Sequence, residues 1–189
     1  MSEPLTLEEK QTLLKLARAA LEAGVRRRPL PDPKKTELTP ALSARGASFV
    51  TLTVKGNLRG CIGALEPYQS LAEDVVEHAV AAALDDYRFP PVQEAELSGI
   101  AIEVSRLTTA VPLDYQDPDD LLNKLRPGVD GIILRDGSRR ATFLPQVWDQ
   151  LPDKMEFLSH LCMKMGSSSD VWRKKHLEVL IYQVEEMHE

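Results

Sequence analysis

The chain has 189 residues, 43% of them hydrophobic, enough to bury one sizeable core or one core with an attached lobe and too few for a second independent domain; residues 1–189 are read as one domain. Its 29 acidic and 23 basic side chains leave a net charge of −6 and a pI near 5.3, which argues against tight nonspecific binding of nucleic acid, because that binding rests on neutralising phosphates with Lys and Arg. No eighteen apolar residues run together, and Met1–Lys10 has no basic stretch ahead of an apolar block, so a cytoplasmic protein with no membrane span is expected.

Thr6, Leu7, Glu8 and Glu9 form a capping box, and the helix they open is expected to reach about Ala23. Its leucines at 13, 14, 16 and 21 and alanines at 17 and 20 make a core-facing stripe, with Gly24 as terminator. Pro29, Pro31, Pro33 and Pro40 interrupt regular structure, so residues 26–45 read as an extended surface connection, a wrap or a lid. Ser48–Val54 is rich in β-branched and apolar residues and reads as a strand, which Lys55, Gly56 and Asn57 turn. If Leu58–Gly63 leaves that turn extended, Arg59 and Cys61 point one way and Leu58 and Ile62 the other.

Ser70 and Glu73 make a second capping box, opening a helix to about Leu84 whose alanines at 79, 81, 82 and 83 permit close packing. Asp85 and Asp86 follow at its C-terminal end, where carboxylates oppose the macrodipole. Gly99–Leu107 alternates apolar Ile100, Ile102 and Val104 with Ala101, Glu103 and Ser105, the pattern of a half-buried strand. Asp117 and Pro118 start a short helix to Leu125. Gly131–Arg135, the Asp136–Gly137 turn and Arg139–Leu144 form a hairpin. Asp153 begins another helix, in which Leu158, Leu161, Cys162 and Met165 share one stripe and Gly166 closes it. Leu177–Val184 reads as a final strand.

The most site-like stretch is Leu58–Gly63, which joins a cation, two glycines and a thiol. A guanidinium beside Cys61 would favour the thiolate, and Gly60 and Gly63 would let backbone or ligand approach closely. The alternative is a buried cysteine flanked by packing glycines. Asp86 and Arg88 break a local rule at a helix end, which is expected of a functional cluster serving the same site as Arg59; a surface loop tied by one ion pair is the other reading. Cys162 belongs to a core stripe, and two cysteines make neither a disulfide framework nor a metal knuckle. His78, four residues after Asp74, reads as half of a solvated pair; His160 reads the same way beside Glu156 and Lys164, and His176 and His188 have no partner in sequence. Trp148 and Trp172 are expected to pack. Without HExxH, a His/Cys cluster, or a Gly-rich nucleotide or hydrolase signature, no resident metal or cofactor is expected. The runs Arg26–Arg28 and Arg173–Lys175 read as solvated surface charge.

The hexapeptide Leu58–Gly63 resembles the signature of the AMMECR-type domain, known in prokaryotes as protein A of the AmmeMemoRadiSam system. Leu71–Val75 with the alanines after it, Arg88–Pro91, Glu103–Ser105, Asp130–Leu134, Phe143–Trp148 and Glu156–Cys162 fit the same family in the same order, covering nearly all of the chain after residue 45. The resemblance implies an α+β fold, mainly antiparallel sheet with flanking helices, with a larger and a smaller lobe around a cleft near which the hexapeptide lies. Two functions follow as expectations. One is an enzyme or enzyme component for a small anionic substrate, with Cys61 as nucleophile or redox thiol and Arg59, Gly60, Gly63, Asp86 and Arg88 at the binding site. The other is a non-catalytic accessory protein that binds a Memo-like or a radical S-adenosylmethionine partner, as the family's name implies.

Overall fold

A computed structural model describes residues 3–35 and 37–189. The chain divides into two compact units, one of Glu3–Leu107 with Glu185–Glu189 and one built on Thr108–Val184.

The larger unit opens with helix α1, Leu7–Val25, capped as the sequence predicts: the Glu9 N–H donates to Thr6 Oγ1 at 3.2 Å and the Thr6 N–H to Glu9 Oε2 at 2.8 Å. The helix does not stop at Gly24. It ends one residue later, at Val25, and beyond the Arg26 cap Arg27 takes a left-handed conformation (φ 54°) while the Arg28 N–H bonds back to the Ala23 carbonyl, closing the orphan carbonyls in the way a C-terminal glycine usually does. Gly24 serves packing instead, because a Cβ there would press on the Val80 side chain at 3.0 Å. The connection 26–45 is also less extended than its prolines suggest. It holds a 3₁₀ turn at Pro33–Lys35 and a single-turn helix α2, Pro40–Ser43, capped by Thr39, whose hydroxyl also donates to Glu9 Oε1 at 2.6 Å. Leu42 is buried against the core and Leu38 packs on it.

Strands β1, Arg45–Val54, and β2, Asn57–Gly63, form a hairpin about Lys55 and Gly56, both at positive φ, the arrangement of a two-residue hairpin turn. A two-residue β3, Gln69–Ser70, borders β1, and helix α3, Leu71–Leu84, starts at the Ser70 capping box. Strand β4, Ile100–Leu107, lies antiparallel to the other edge of β1. Val50, Leu52, Ile100, Ile102 and Val104 face α1 and α3, with which they make the core; the alternate residues face away from the helices. Because α3 packs both on β1 and against α1, the pair Asp74 and His78 is buried, correcting the solvated reading of the sequence. Asp74 Oδ2 accepts from the Ser48 N–H and hydroxyl at 2.8 and 2.6 Å and lies 3.1 Å from His78 Nδ1.

In the smaller unit, β5 (Val111–Pro112), α4 (Pro118–Lys124), β6 (Gly131–Asp136), β7 (Arg139–Phe143), α5 (Lys154–Lys164), α6 (Val171–Lys174) and β8 (Glu178–Tyr182) follow in order. The strands form an antiparallel sheet β5-β8-β6-β7. The Asp117 cap, the Asp136–Gly137 hairpin, the Asp153 cap and the Gly166 terminator (φ 78°) all occur as expected. Trp148 stacks on Phe157 with ring centroids 3.7 Å apart, and Trp172 and Cys162 are buried beside them. Burial pushes the Cys162 thiol above its ordinary value.

The last predicted strand divides. The chain breaks pairing at Gln183, which exchanges main-chain and hydroxyl bonds with Thr108, and β9, Val184–His188, joins the larger sheet beside β4. Apolar periodicity runs unbroken across the break, which is why the sequence alone reads a single strand. The fold is α+β with antiparallel sheets, as expected.

Candidate functional site

Cys61 sits in β2 directly across from Thr51 of β1, on the face of the sheet turned away from the helices. Thr51 Oγ1 donates to the sulfur at 3.3 Å, and the cysteine is half-buried. Glu103 of β4 is the partner of Thr51 on the other side, so Cys61, Thr51 and Glu103 form a row across three strands. Glu103 is held by the Ser105 hydroxyl at 3.2 Å, and His188 Nδ1 of β9 lies 3.5 Å from its other oxygen. Thr51, Glu103 and His188 carry no motif spacing in sequence. Only the strand register collects them.

The loop after α3 grips the main chain of Cys61. Asp86 Oδ2 accepts the Cys61 N–H at 2.9 Å, and Arg88 Nη2 donates to the Cys61 carbonyl at 3.3 Å and to Asp86 Oδ2 at 2.7 Å. Arg88 Nε and the Arg88 N–H both bond Asp86 Oδ1. The Arg88 guanidinium, opposed by burial and assisted by the Cys61 N–H, holds the Asp86 carboxyl well below the usual carboxylate range. Asp86 and Arg88 are thus brought to Cys61 as a built clasp, more than a loop tied by one ion pair.

Arg59 goes elsewhere. Between Leu52 and Thr53 the pairing shifts, setting Gly60 opposite Leu52 and Leu58 opposite Thr53. Arg59 is the extra residue of a β-bulge, and the strict alternation that would align it with Cys61 fails there. Its guanidinium forms a two-pronged pair with Glu96, Nε to Oε1 at 2.8 Å and Nη2 to Oε2 at 3.1 Å, and only 13% of the side chain is exposed. Arg59 in turn lowers the Glu96 carboxyl. The cation beside Cys61 is Arg88, which bonds the Cys61 carbonyl. Glu96 went unnoticed in the sequence because nothing in its 37-residue separation from Arg59 links them.

Gly60 and Gly63 accommodate the protein's own atoms. A Cβ at 60 would overlap the Ala82 carbonyl oxygen of α3, and one at 63 would overlap the Phe49 ring and the Ser48 carbonyl oxygen. Among the described residues no three His, Cys, Asp or Glu side chains are placed to hold one metal ion, and no helix is long and apolar enough to cross a membrane. The basic runs are largely paired: Arg26 with Glu22 and Glu94, Lys174 with Asp170, and Lys175 with Asp136.

The chain is similar to known proteins over nearly its whole length. The AMMECR1 family model matches residues 14–187. A protein of Methanothermobacter thermautotrophicus is 42% identical, over 98% of this chain and 97% of its own length. Protein MK0488 of Methanopyrus kandleri is 39% identical, over 100% of this chain and 92% of its own. The crystal structure of the uncharacterized protein PH0010 from Pyrococcus horikoshii aligns with a TM-score of 0.83 at 32% identity, covering 98% of this chain and 93% of that one. With the family model and full-length relatives in agreement, this chain belongs to the AMMECR1 family.

Proposed function

We propose that the protein is an enzyme, or a component of one, that handles a small anionic molecule at Cys61. The observation that carries this reading is a division of labour at one residue. The main chain of Cys61 is fixed by a carboxylate and a guanidinium from a loop 25 residues away, while the residue itself is only half-buried, with its sulfur against the Thr51 hydroxyl. A cysteine kept only for packing needs no such clasp, and Cys162, fully buried among aromatic rings, has none of these features. In this reading Cys61 is the nucleophile or redox thiol. Arg88, with 45% of its side chain in solvent, offers the positive charge that a carboxylate or phosphate would meet. Both guanidiniums are paired, but Arg59 has only 13% of its side chain in solvent, so it shapes the strand and Arg88 receives the substrate. Two free thiols suit the reducing cytoplasm.

Alkylation tests it. Iodoacetamide and the anionic iodoacetate are applied to the folded protein, with Cys162 as internal control. Cys61 should react and Cys162 should not, and the ratio of iodoacetate to iodoacetamide rates should exceed that of a free-cysteine peptide and fall in Arg88→Gln. An unmodified Cys61, or a ratio equal to the peptide's, would remove the nucleophile and the anion preference respectively.

A second reading rests on Tyr87, which stands 94% exposed between the two clasp residues. An aromatic side chain so fully in solvent suits a protein contact, and it favours an accessory role in which the loop docks a Memo-like or radical S-adenosylmethionine protein. Co-purification with such a partner that is lost in Tyr87→Ser, while Cys61 alkylation is unchanged, would select this reading over the first.

A further inference from the structure

We infer that Thr51 is the positioning residue that holds and activates the Cys61 sulfur, a step that rests on the proposed role of Cys61 and adds the group that governs it. Thr51 is paired directly with Cys61 on one side and with Glu103 on the other. Its hydroxyl has one proton to give, and two neighbours on this face can accept it. Glu103 is already engaged, one oxygen by the Ser105 hydroxyl at 3.2 Å and the other facing His188 Nδ1 at 3.5 Å. The Thr51 hydroxyl is directed at the Cys61 sulfur, to which it donates at 3.3 Å. A donor aimed at sulfur favours the thiolate over the thiol. The β-branched side chain has few rotamers on a strand, so the donor stays aimed. The charged groups of the Asp86–Arg88 clasp hold the Cys61 main chain, Asp86 at its N–H and Arg88 at its carbonyl, and Thr51 is the side chain bonded to its sulfur.

The full-length protein tests this without knowledge of the substrate. Thr51→Val keeps the shape and the strand preference of threonine and deletes the donor; Thr51→Ser keeps the donor. Iodoacetamide alkylation of Cys61 is followed from pH 6 to 10, with far-UV circular dichroism and the urea midpoint reporting that each variant is folded. Thr51→Val should slow the reaction about tenfold near neutral pH, the scale of one hydrogen bond to a charged group, and move its pH–rate curve to higher pH. Thr51→Ser should stay within about threefold of wild type, since only side-chain freedom is gained. Where Val lowers the urea midpoint enough to unfold the variant, Thr51→Ala replaces it and must slow the reaction as much. A donor-less variant that reacts at the wild-type rate overturns the role of Thr51 and leaves that of Cys61 standing, whereas a wild-type Cys61 that does not react removes both.

Discussion

The Asp86 carboxylate accepts the backbone N–H of Cys61 at 2.9 Å, joining residues 25 positions apart through one charged group. The same carboxylate takes three further bonds from Arg88, one from its main-chain N–H and two from its guanidinium, of which the Nε bond at 2.9 Å and the Nη2 bond at 2.7 Å set the fork. The position of the thiol therefore depends on an ion pair that is buried on the Asp86 side and open to solvent on the Arg88 side.

Asp86→Asn should weaken this clasp by about 1–2 kcal/mol, a charge-assisted bond discounted for the exposure of Arg88. The dependence on pH has a definite direction. The folded-state value of Asp86 is depressed, so its contribution is complete above the unfolded carboxylate value of about 3.9 and is lost as the pH falls through the lower folded value. Urea denaturation should thus give a difference between wild type and Asp86→Asn that is constant from pH 8 to about 5 and shrinks only in stronger acid. A difference that disappears already between pH 7 and 5 would mean that Asp86 is not held charged by Arg88.

Gly60→Ala and Gly56→Ala should differ sharply although both lie in one hairpin. At 60 the new Cβ overlaps the Ala82 carbonyl oxygen, which belongs to helix backbone and cannot turn aside; α3 or β2 must shift, at about 3 kcal/mol or more. At 56 the space is open and only the positive φ of 77° is strained, for about 1 kcal/mol. Urea midpoints of the two variants measure this directly. Equal losses would show that the sheet does not sit on α3 as closely as the contact requires.

Much of the fold was legible because it rests on local chemistry. The Thr6 and Ser70 capping boxes, the Asp117 and Asp153 caps, the Asp136–Gly137 turn and the Gly166 terminator each declare themselves within four residues. The hexapeptide and the Asp86–Arg88 cluster were also visible, one by its thiol and glycines and the other by carboxylates at the wrong end of a helix. What escaped the sequence depends on register and on layering. The bulge that turns Arg59 towards Glu96 is a property of two strands, and the row Cys61, Thr51, Glu103 and His188 is a property of four. Gly24 looked like a stop because α1 was read without the helix it packs against. His78 looked solvated because one helix shows its polar side only until a second layer covers it.

That covered pair supports a final prediction. Asp74 is wholly buried and organises three partners: the N–H and hydroxyl of Ser48 at 2.8 and 2.6 Å and His78 Nδ1 at 3.1 Å. It thereby pins α3 to β1 close to Phe49 and Gly63, which pair in the next register position. Asp74→Ala strands two buried donors of Ser48 and the imidazole, and should cost about 3–5 kcal/mol, the sum expected when the common partner of several buried polar groups is removed. Ser48→Ala removes only one donor and leaves the N–H bond in place, so about 1–2 kcal/mol is expected. Because the two changes delete the same hydroxyl–carboxylate bond, their costs should not add, and a double-mutant cycle read by urea denaturation should return a coupling of about 1 kcal/mol or more. If Ser48→Ala costs the same with and without the Asp74 carboxylate, that bond contributes nothing, and α3 must be held to β1 by its apolar contacts alone.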